Sequence, residues 1–186
     1  MKKLFDLVLG SLLCILLFLP FIIISALVKI TSKGPVLYWS DRIGRDSVIF
    51  RMPKFRSMLV DAPEVATDLL DNPEAYLSPI GSFLRRSSLD EIPQLISVLK
   101  GDMSFVGPRP ALFNQYELIK LRQDMSLDKL LPGITGWAQI NGRDDLSILK
   151  KVELDKEYLK SQSFYLDLKI LWKTLMKVIN REGVSH

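Results

Sequence analysis

The feature that most limits what this chain can fold into is Leu7 to Val28, 22 residues without a charged side chain. About 20 predominantly apolar residues suffice for a helix to cross a bilayer. A cleaved signal peptide fits poorly, because the run is too long and no small-x-small site follows it. Two readings remain: a single span, or a re-entrant hairpin that dips into one leaflet and returns. Pro20 sits near the middle of the run. It removes a helical donor and its ring meets the carbonyl of Leu16, so a helix kinks there. Lys2 and Lys3 flank the run on one side, and Lys29, Lys33, Arg42 and Arg45 on the other. Under the positive-inside rule both ends belong in the cytoplasm, which one straight span cannot satisfy. Proline is nonetheless tolerated in spanning helices, so the residues alone leave hairpin and span open.

Composition narrows the chemistry. Only one cysteine, Cys14, and one histidine, His186, occur in the 186 residues. There is no intrachain disulfide, no plausible base for a Ser-His-Asp or Cys-His mechanism, and no His-ligated zinc. Catalysis would have to run on carboxylates, Lys, Arg and a hard metal ion. Net charge is +4, a mild bias toward anionic partners. The basic residues are dispersed and the field is weak, which argues against a nucleic-acid binder.

The polar part is organised around Ser87 to Pro110, SSLDEIPQLISVLKGDMSFVGPRP. Ser88 and Glu91 have the spacing of a capping box. Ile92, Leu95, Ile96 and Leu99 then recur at helical spacing, and Lys100-Gly101 reads as the stop. Asp90 and Glu91 thus stand at a helix start, where acids also serve simply to complement the dipole. A Gly-rich turn from Gly101 to Gly107 follows, then Arg109, locked between Pro108 and Pro110 and pre-positioned for bidentate contact with phosphate. Adjacent acids near several arginines invite a hard cation and an anionic substrate, and an Asp carboxylate can act as a nucleophile toward phosphorus.

Around this stretch, Val36–Trp39 and Val48–Met52 read as a β-hairpin with a basic tip. Lys54 and Arg56 in KFRSM could reach a phosphate, or be solvated surface charges. Leu59 to Pro79 is acidic and proline-containing, a surface excursion with one short helix at Ala62–Leu70. Ala111–Arg122 reads as an amphipathic helix carrying Leu112, Tyr116 and Ile119. In PGITGWAQINGR (132–143) three glycines suggest close backbone approach to something, and Gln139, Asn141 and Arg143 supply polar contacts. Asp144–Ser161 reads as a charged helix. Phe164–Ile179 is a last helix whose face of Phe164, Leu168, Leu171, Leu175 and Ile179 suits either core packing, the commoner case, or the membrane interface.

The apolar segment, KFRSM (54–58), SLDEIPQLISVLKGDMSFVGPRP (88–110) and PGITGWAQINGR (132–143) together resemble the small monotopic phosphoglycosyl transferases, the bacterial sugar transferases that start lipid-linked glycan assembly. The resemblance covers nearly the whole chain and favours the hairpin over the span. It implies a mostly α fold with a small β-hairpin. Residues 1–33 would form a re-entrant membrane helix-break-helix centred on Pro20, and 34–186 a compact cytoplasmic catalytic domain with interfacial amphipathic helices. Larger relatives carry extra membrane helices in front, so this chain resembles the minimal catalytic form.

The implied activity moves a sugar-1-phosphate from a nucleoside diphosphate sugar, usually a UDP-sugar, to a polyprenyl phosphate such as undecaprenyl phosphate. The location implied is the cytoplasmic face of the bacterial inner membrane, with downstream glycosyltransferases as further partners. By the same likeness Asp90 is the nucleophile, and Glu91 helps hold Mg²⁺ with Asp90 and assists deprotonation of the lipid phosphate. Arg109 and Arg143 bind phosphates, with Lys54, Arg86 and Gln139 as further substrate contacts. Two departures stand out: Leu19 replaces the Ser that often precedes the membrane proline, and the Gln that often precedes Arg42 is absent. The rival reading is a non-catalytic membrane-bound scaffold for anionic lipid or partner proteins.

Overall fold

The computed structural model describes residues 1–63, 65, 70, 72–142 and 146–180. Two apolar helices, α1 (Lys2–Leu16) and α2 (Phe18–Thr31), are bent by 61° to each other. The break falls at Leu17, three residues before Pro20. Pro20 offers no N–H to the Leu16 carbonyl and would crowd it in a straight helix, so the bend relieves both conflicts. No single helix among the described residues is long and apolar enough to cross a membrane; the bent pair together has the length and composition for a broken span or a re-entrant loop.

Each of the two helices has an inner and an outer face. On the inside, Leu9, Leu13, Cys14 and Leu17 pack on a core of Met52, Leu95, Val98 and Phe105, among others. Ile24 and Val28 are buried with Phe55 and Leu84. On the outside, Leu4, Val8, Leu12, Ile15, Leu19 and Ile30 are 60–82% exposed, an apolar surface unlike that of a water-soluble monomer.

The expected hairpin forms from β1 (Leu37–Ile43) and β2 (Ile49–Phe55), antiparallel from Leu37↔Phe55 to Ile43↔Ile49. Its strands run further than the β-rich cores of the sequence, so Lys54 lies within β2. Of the basic tip only Arg45 stays at the turn; Arg42 is in β1 and reaches inward to the Pro110 carbonyl.

Next come α3 (Gly81–Arg86), a tight 3₁₀ segment at Leu89–Gln94, and α4 (Leu95–Lys100). The capping box is not formed. Ser88 adopts a left-handed conformation (φ 55°) and its side chain caps nothing, while the Glu91 carboxylate accepts from Lys54. Gly101, at φ +85°, ends α4 as expected. The stretch read as a Gly-rich turn contains β3 (Ser104–Val106).

The helix expected at Ala111 starts later, as α5 (Tyr116–Asp124). The Ala111 carbonyl accepts from Ile43 N–H and Leu112 bridges to Arg42, so these residues extend along the edge of β1. Leu118 is the buried residue of α5, and Tyr116 is 74% exposed. β4 (Gly133–Thr135) pairs parallel with β3, ahead of α6 (Trp137–Ile140). The charged helix is α7 (Ile148–Ser161), begun by Ser147, whose Oγ accepts from Lys150 N–H.

The last helix is α8 (Phe164–Asn180). Here the core-packing reading of its apolar stripe is corrected. Asp167 and Ile170 face inward, and Leu171 is half-buried against the core. Phe164, Leu168, Leu175 and Ile179 are 41–63% exposed. The stripe continues α1: Phe164 meets Phe5 edge to face at 5.3 Å. The short helix expected at Ala62–Leu70 falls largely outside the described residues.

Candidate active site

Asp90 and Glu91 lie in the first turn of the 3₁₀ segment. The residues on either side, Leu89 and Ile92, pack into the cluster of Ile24, Val28, Phe55 and Leu84. Apolar burial of these neighbours therefore seats the two acids beside α2. Lys54 Nζ lies 2.9 Å from Glu91 Oε1 and 4.0 Å from Asp90 Oδ2, and Arg109 Nη1 lies 3.6 Å from Glu91 Oε1.

Asp90 is only 7% exposed. Burial lifts its carboxyl above the ordinary range; Lys54, Arg85 and Arg109 pull it down while Glu91 pushes it up. Burial lowers the Arg42 guanidinium to about 10; neighbouring Arg109 lowers it too, while Glu91 and Tyr38 oppose. Arg42 remains a cation at neutral pH. Lys54 and Arg109 thus pair with the carboxylates directly, and Arg85 and Arg42 act on them electrostatically.

The Pro108-Arg109-Pro110 triplet is held by all three of its carbonyls. Pro108 O accepts from Gly133 N–H at 2.9 Å, Arg109 O from Arg122 Nη1 at 2.8 Å, and Pro110 O from Arg42 Nη1 at 3.2 Å. Arg122 is itself clamped by Asp155 Oδ2, which accepts from Nε at 3.1 Å and Nη2 at 2.7 Å. The glycines of 132–143 explain the close packing: a Cβ on Gly133 would lie 2.1 Å from Gly107 N, and one on Gly136 2.1 Å from Gly107 O. The close approach expected from these glycines is thus made to the loop that carries Arg109.

The structure brings together Lys54, Asp90, Glu91 and Arg109. Arg86 is exposed at the end of α3, and Arg85, one residue earlier, is the one that acts on Asp90. Gln139 lies on α6 behind Gly136, its amide oxygen and nitrogen both buried without a hydrogen-bond partner. Arg143 lies outside the described residues.

Sequence reasoning missed Arg42, Arg85 and the Arg122–Asp155 pair. Strand alternation was a usable signal for the first: in the register Tyr38↔Lys54, Ser40↔Met52, Arg42↔Phe50, Arg42 shares a sheet face with Lys54. Nothing in the sequence pairs Arg122 with an acid 33 positions away.

Among the described residues no three or more His, Cys, Asp or Glu converge on a metal position. Asp90 and Glu91 are two hard oxygen donors, the protein share that Mg²⁺ takes when phosphates and water complete its shell. The Lys54 ammonium lies beside both carboxylates. The pair is compatible with Mg²⁺ on donor chemistry.

Comparison with known proteins bears on what such a site does. The chain is 41% identical over its whole length to the uncharacterized sugar transferase EpsL of Bacillus subtilis, spanning 91% of that protein. It is 37% identical to the exopolysaccharide production protein ExoY of Rhizobium meliloti, covering 98% of this chain and 87% of the relative. It is 41% identical, over 95% of its length, to the UDP-glucose:undecaprenyl-phosphate glucose-1-phosphate transferase of Escherichia coli, of which the match spans 40%. The pattern of the family described as bacterial sugar transferase matches residues 1–181, and the chain belongs to that family.

Proposed function

We propose that this protein is a phosphoglycosyl transferase that moves a sugar-1-phosphate from a UDP-sugar to undecaprenyl phosphate at the cytoplasmic face of the bacterial inner membrane. The observation that carries the reading is a buried Asp90 beside Glu91, with Lys54 and Arg109 in ion-pair reach and Arg85 and Arg42 acting electrostatically. A diphosphate is an anion that such a group of cations suits.

In the first step Asp90 Oδ attacks the phosphorus bearing the sugar. The bond from that phosphorus to the bridging oxygen breaks, and UMP leaves with its electrons. An acyl phosphate, the Asp90 carboxyl joined to the sugar-1-phosphate, remains. In the second step Glu91 takes the proton of the lipid phosphate, whose oxygen attacks the same phosphorus. The Asp90 carboxylate departs, leaving a polyprenyl diphosphate sugar. Lys54 and Arg109 neutralise charge as the phosphoryl group transfers. Mg²⁺ held by Asp90 and Glu91 would add Lewis-acid neutralisation of the diphosphate.

The nucleophile must be ionised, and burial opposes that. The surrounding cations offset part of this cost, so the site trades stability for reactivity. The acceptor's tail calls for lipid next to the dyad. The packing of Leu89 and Ile92 against α2, with the exposed outer faces of α1, α2 and α8, supports a bent pair that enters one leaflet and returns.

The test is incubation with a panel of labelled UDP-sugars, with and without undecaprenyl phosphate. Without acceptor, one donor should label the protein and release UMP; adding acceptor should move the label to lipid. Asp90→Asn should do neither. Full turnover by Asp90→Asn would overturn the mechanism, and absence of UMP release from every donor would overturn the function.

A further inference from the structure

The apolar run is preceded by a carboxylate whose place in the fold a simple anchor does not explain. Asp6, in the second turn of α1, is 5% exposed. Its Oδ1 accepts from the backbone N–H of Phe105 at 3.2 Å. Phe105 is the middle residue of β3. On either side of it, the Ser104 N–H donates to the Pro132 carbonyl, just before β4, and the Gly107 N–H donates to the Thr135 carbonyl of β4. Asp6 therefore satisfies a buried β3 donor that lies between those two contacts. An acid beside a lipid-facing segment is costly unless it is paired, and this one is paired with the strand that leads into Gly107 and Arg109.

One turn further on, Gly10 lets α1 come close. A Cβ there would lie 3.1 Å from Leu99 Cδ2 and 3.9 Å from the Phe105 ring. One turn earlier, Lys2 Nζ lies 2.5 Å from Asp167 Oδ2, and that carboxylate accepts from Tyr158 O–H at 2.6 Å. Lys2, Asp6 and Gly10 are spaced four apart, on one helix face. That face docks on α8, β3 and α4 in turn, while the opposite face is the exposed apolar one.

We propose that Asp6 is a positioning residue for the Arg109 loop, so that α1 supports the site through β3. The side chain acts through the Phe105 amide, holding β3 in register so that Gly107 meets Gly133 and Gly136 and Arg109 reaches Glu91. The effect on donor binding rests on the transferase reading; the effect on β3 does not.

The experiment compares Asp6→Ala and Asp6→Asn in the full chain, in nanodiscs of phosphatidylethanolamine and phosphatidylglycerol, by amide hydrogen exchange and by steady-state UMP release. Asp6→Ala should speed exchange at Phe105 and its neighbours about tenfold, as expected for loss of a buried hydrogen bond. Exchange in α7 should stay unchanged. Donor KM should rise about tenfold with a smaller change in kcat. Asp6→Asn keeps an acceptor oxygen and should stay within about twofold of the parent in both readouts. Unchanged exchange at Phe105 in Asp6→Ala would overturn the proposal. So would a uniform rise across the chain, or local loosening with an unchanged KM. A parent protein that releases no UMP would remove the transferase reading, and the exchange data would still decide whether Asp6 holds β3.

Discussion

The Arg122–Asp155 pair offers a way to separate holding the fold from holding the site. The two side chains are 12% and 2% exposed, and Arg122 makes two bonds to Asp155 Oδ2 and one to the Arg109 carbonyl. Burial pushes the Asp155 carboxyl upward, while Arg122 pulls it down by charge and hydrogen bonding. Arg122→Met keeps the aliphatic stem and removes the guanidinium. Stranding one partner of a buried pair costs about 3–5 kcal/mol, a large share of the roughly 5–15 kcal/mol that holds a typical domain together. At about 2–4 °C per kcal/mol for a chain of this size, Tm should fall by about 6–20 °C. Adding Asp155→Leu removes the stranded charge, and most of that stability should return. Activity should not return, because the Arg109 carbonyl has still lost its donor. A displacement of order 1 Å at a phosphate-binding group costs up to about a hundredfold in rate. Thermal unfolding and UMP release measured on parent, single and double variants decide the matter. A double variant that regains both stability and full activity would refute the idea that Arg122 aims Arg109. A single variant that loses less than about 1 kcal/mol would refute the energetic argument.

Two further outcomes follow from the same geometry. Burial raises the folded-state Asp90 carboxyl above its unfolded value, so between those two values the folded chain keeps a proton that the unfolded chain has released. Stability from this group is full below that window and falls as pH rises through it; Asp90→Asn should flatten that slope of Tm against pH and be at least as stable as the parent at neutral pH, and an unchanged slope would count against the burial argument. Gly136→Ala and Gly101→Ala should differ in size and cause: the first sets a Cβ 2.1 Å from Gly107 O, the second meets nothing within 4 Å but sits at φ +85°. Chemical denaturation should show roughly 1–2 kcal/mol for Gly101→Ala and a larger loss, beyond about 1–3 kcal/mol, for Gly136→Ala, an order that would be reversed if the glycine stack were loose.

Several features were legible in the amino-acid order because their causes act over a few residues. Pro20 cannot donate to Leu16, so the apolar run had to break nearby, and it breaks at Leu17. Gly101 tolerates a left-handed residue and ends α4. Two β-rich runs either side of a turn made the hairpin, and the structure brings together Asp90, Glu91 and Arg109, which their chemistry had singled out. Local signals misled where a distant partner intervened. Ser88 and Glu91 have capping-box spacing, yet Lys54 claims the Glu91 carboxylate. The helix expected at Ala111 yields its first residues to the edge of β1. The tertiary structure alone decided that Arg85 and not Arg86 faces Asp90, that Arg122 meets Asp155, that Asp6 meets Phe105, and that the apolar stripe of α8 looks outward. Each of these depends on how separate elements dock. Docking is set by the summed burial and hydrogen bonding of the whole chain, which short-range periodicity does not encode.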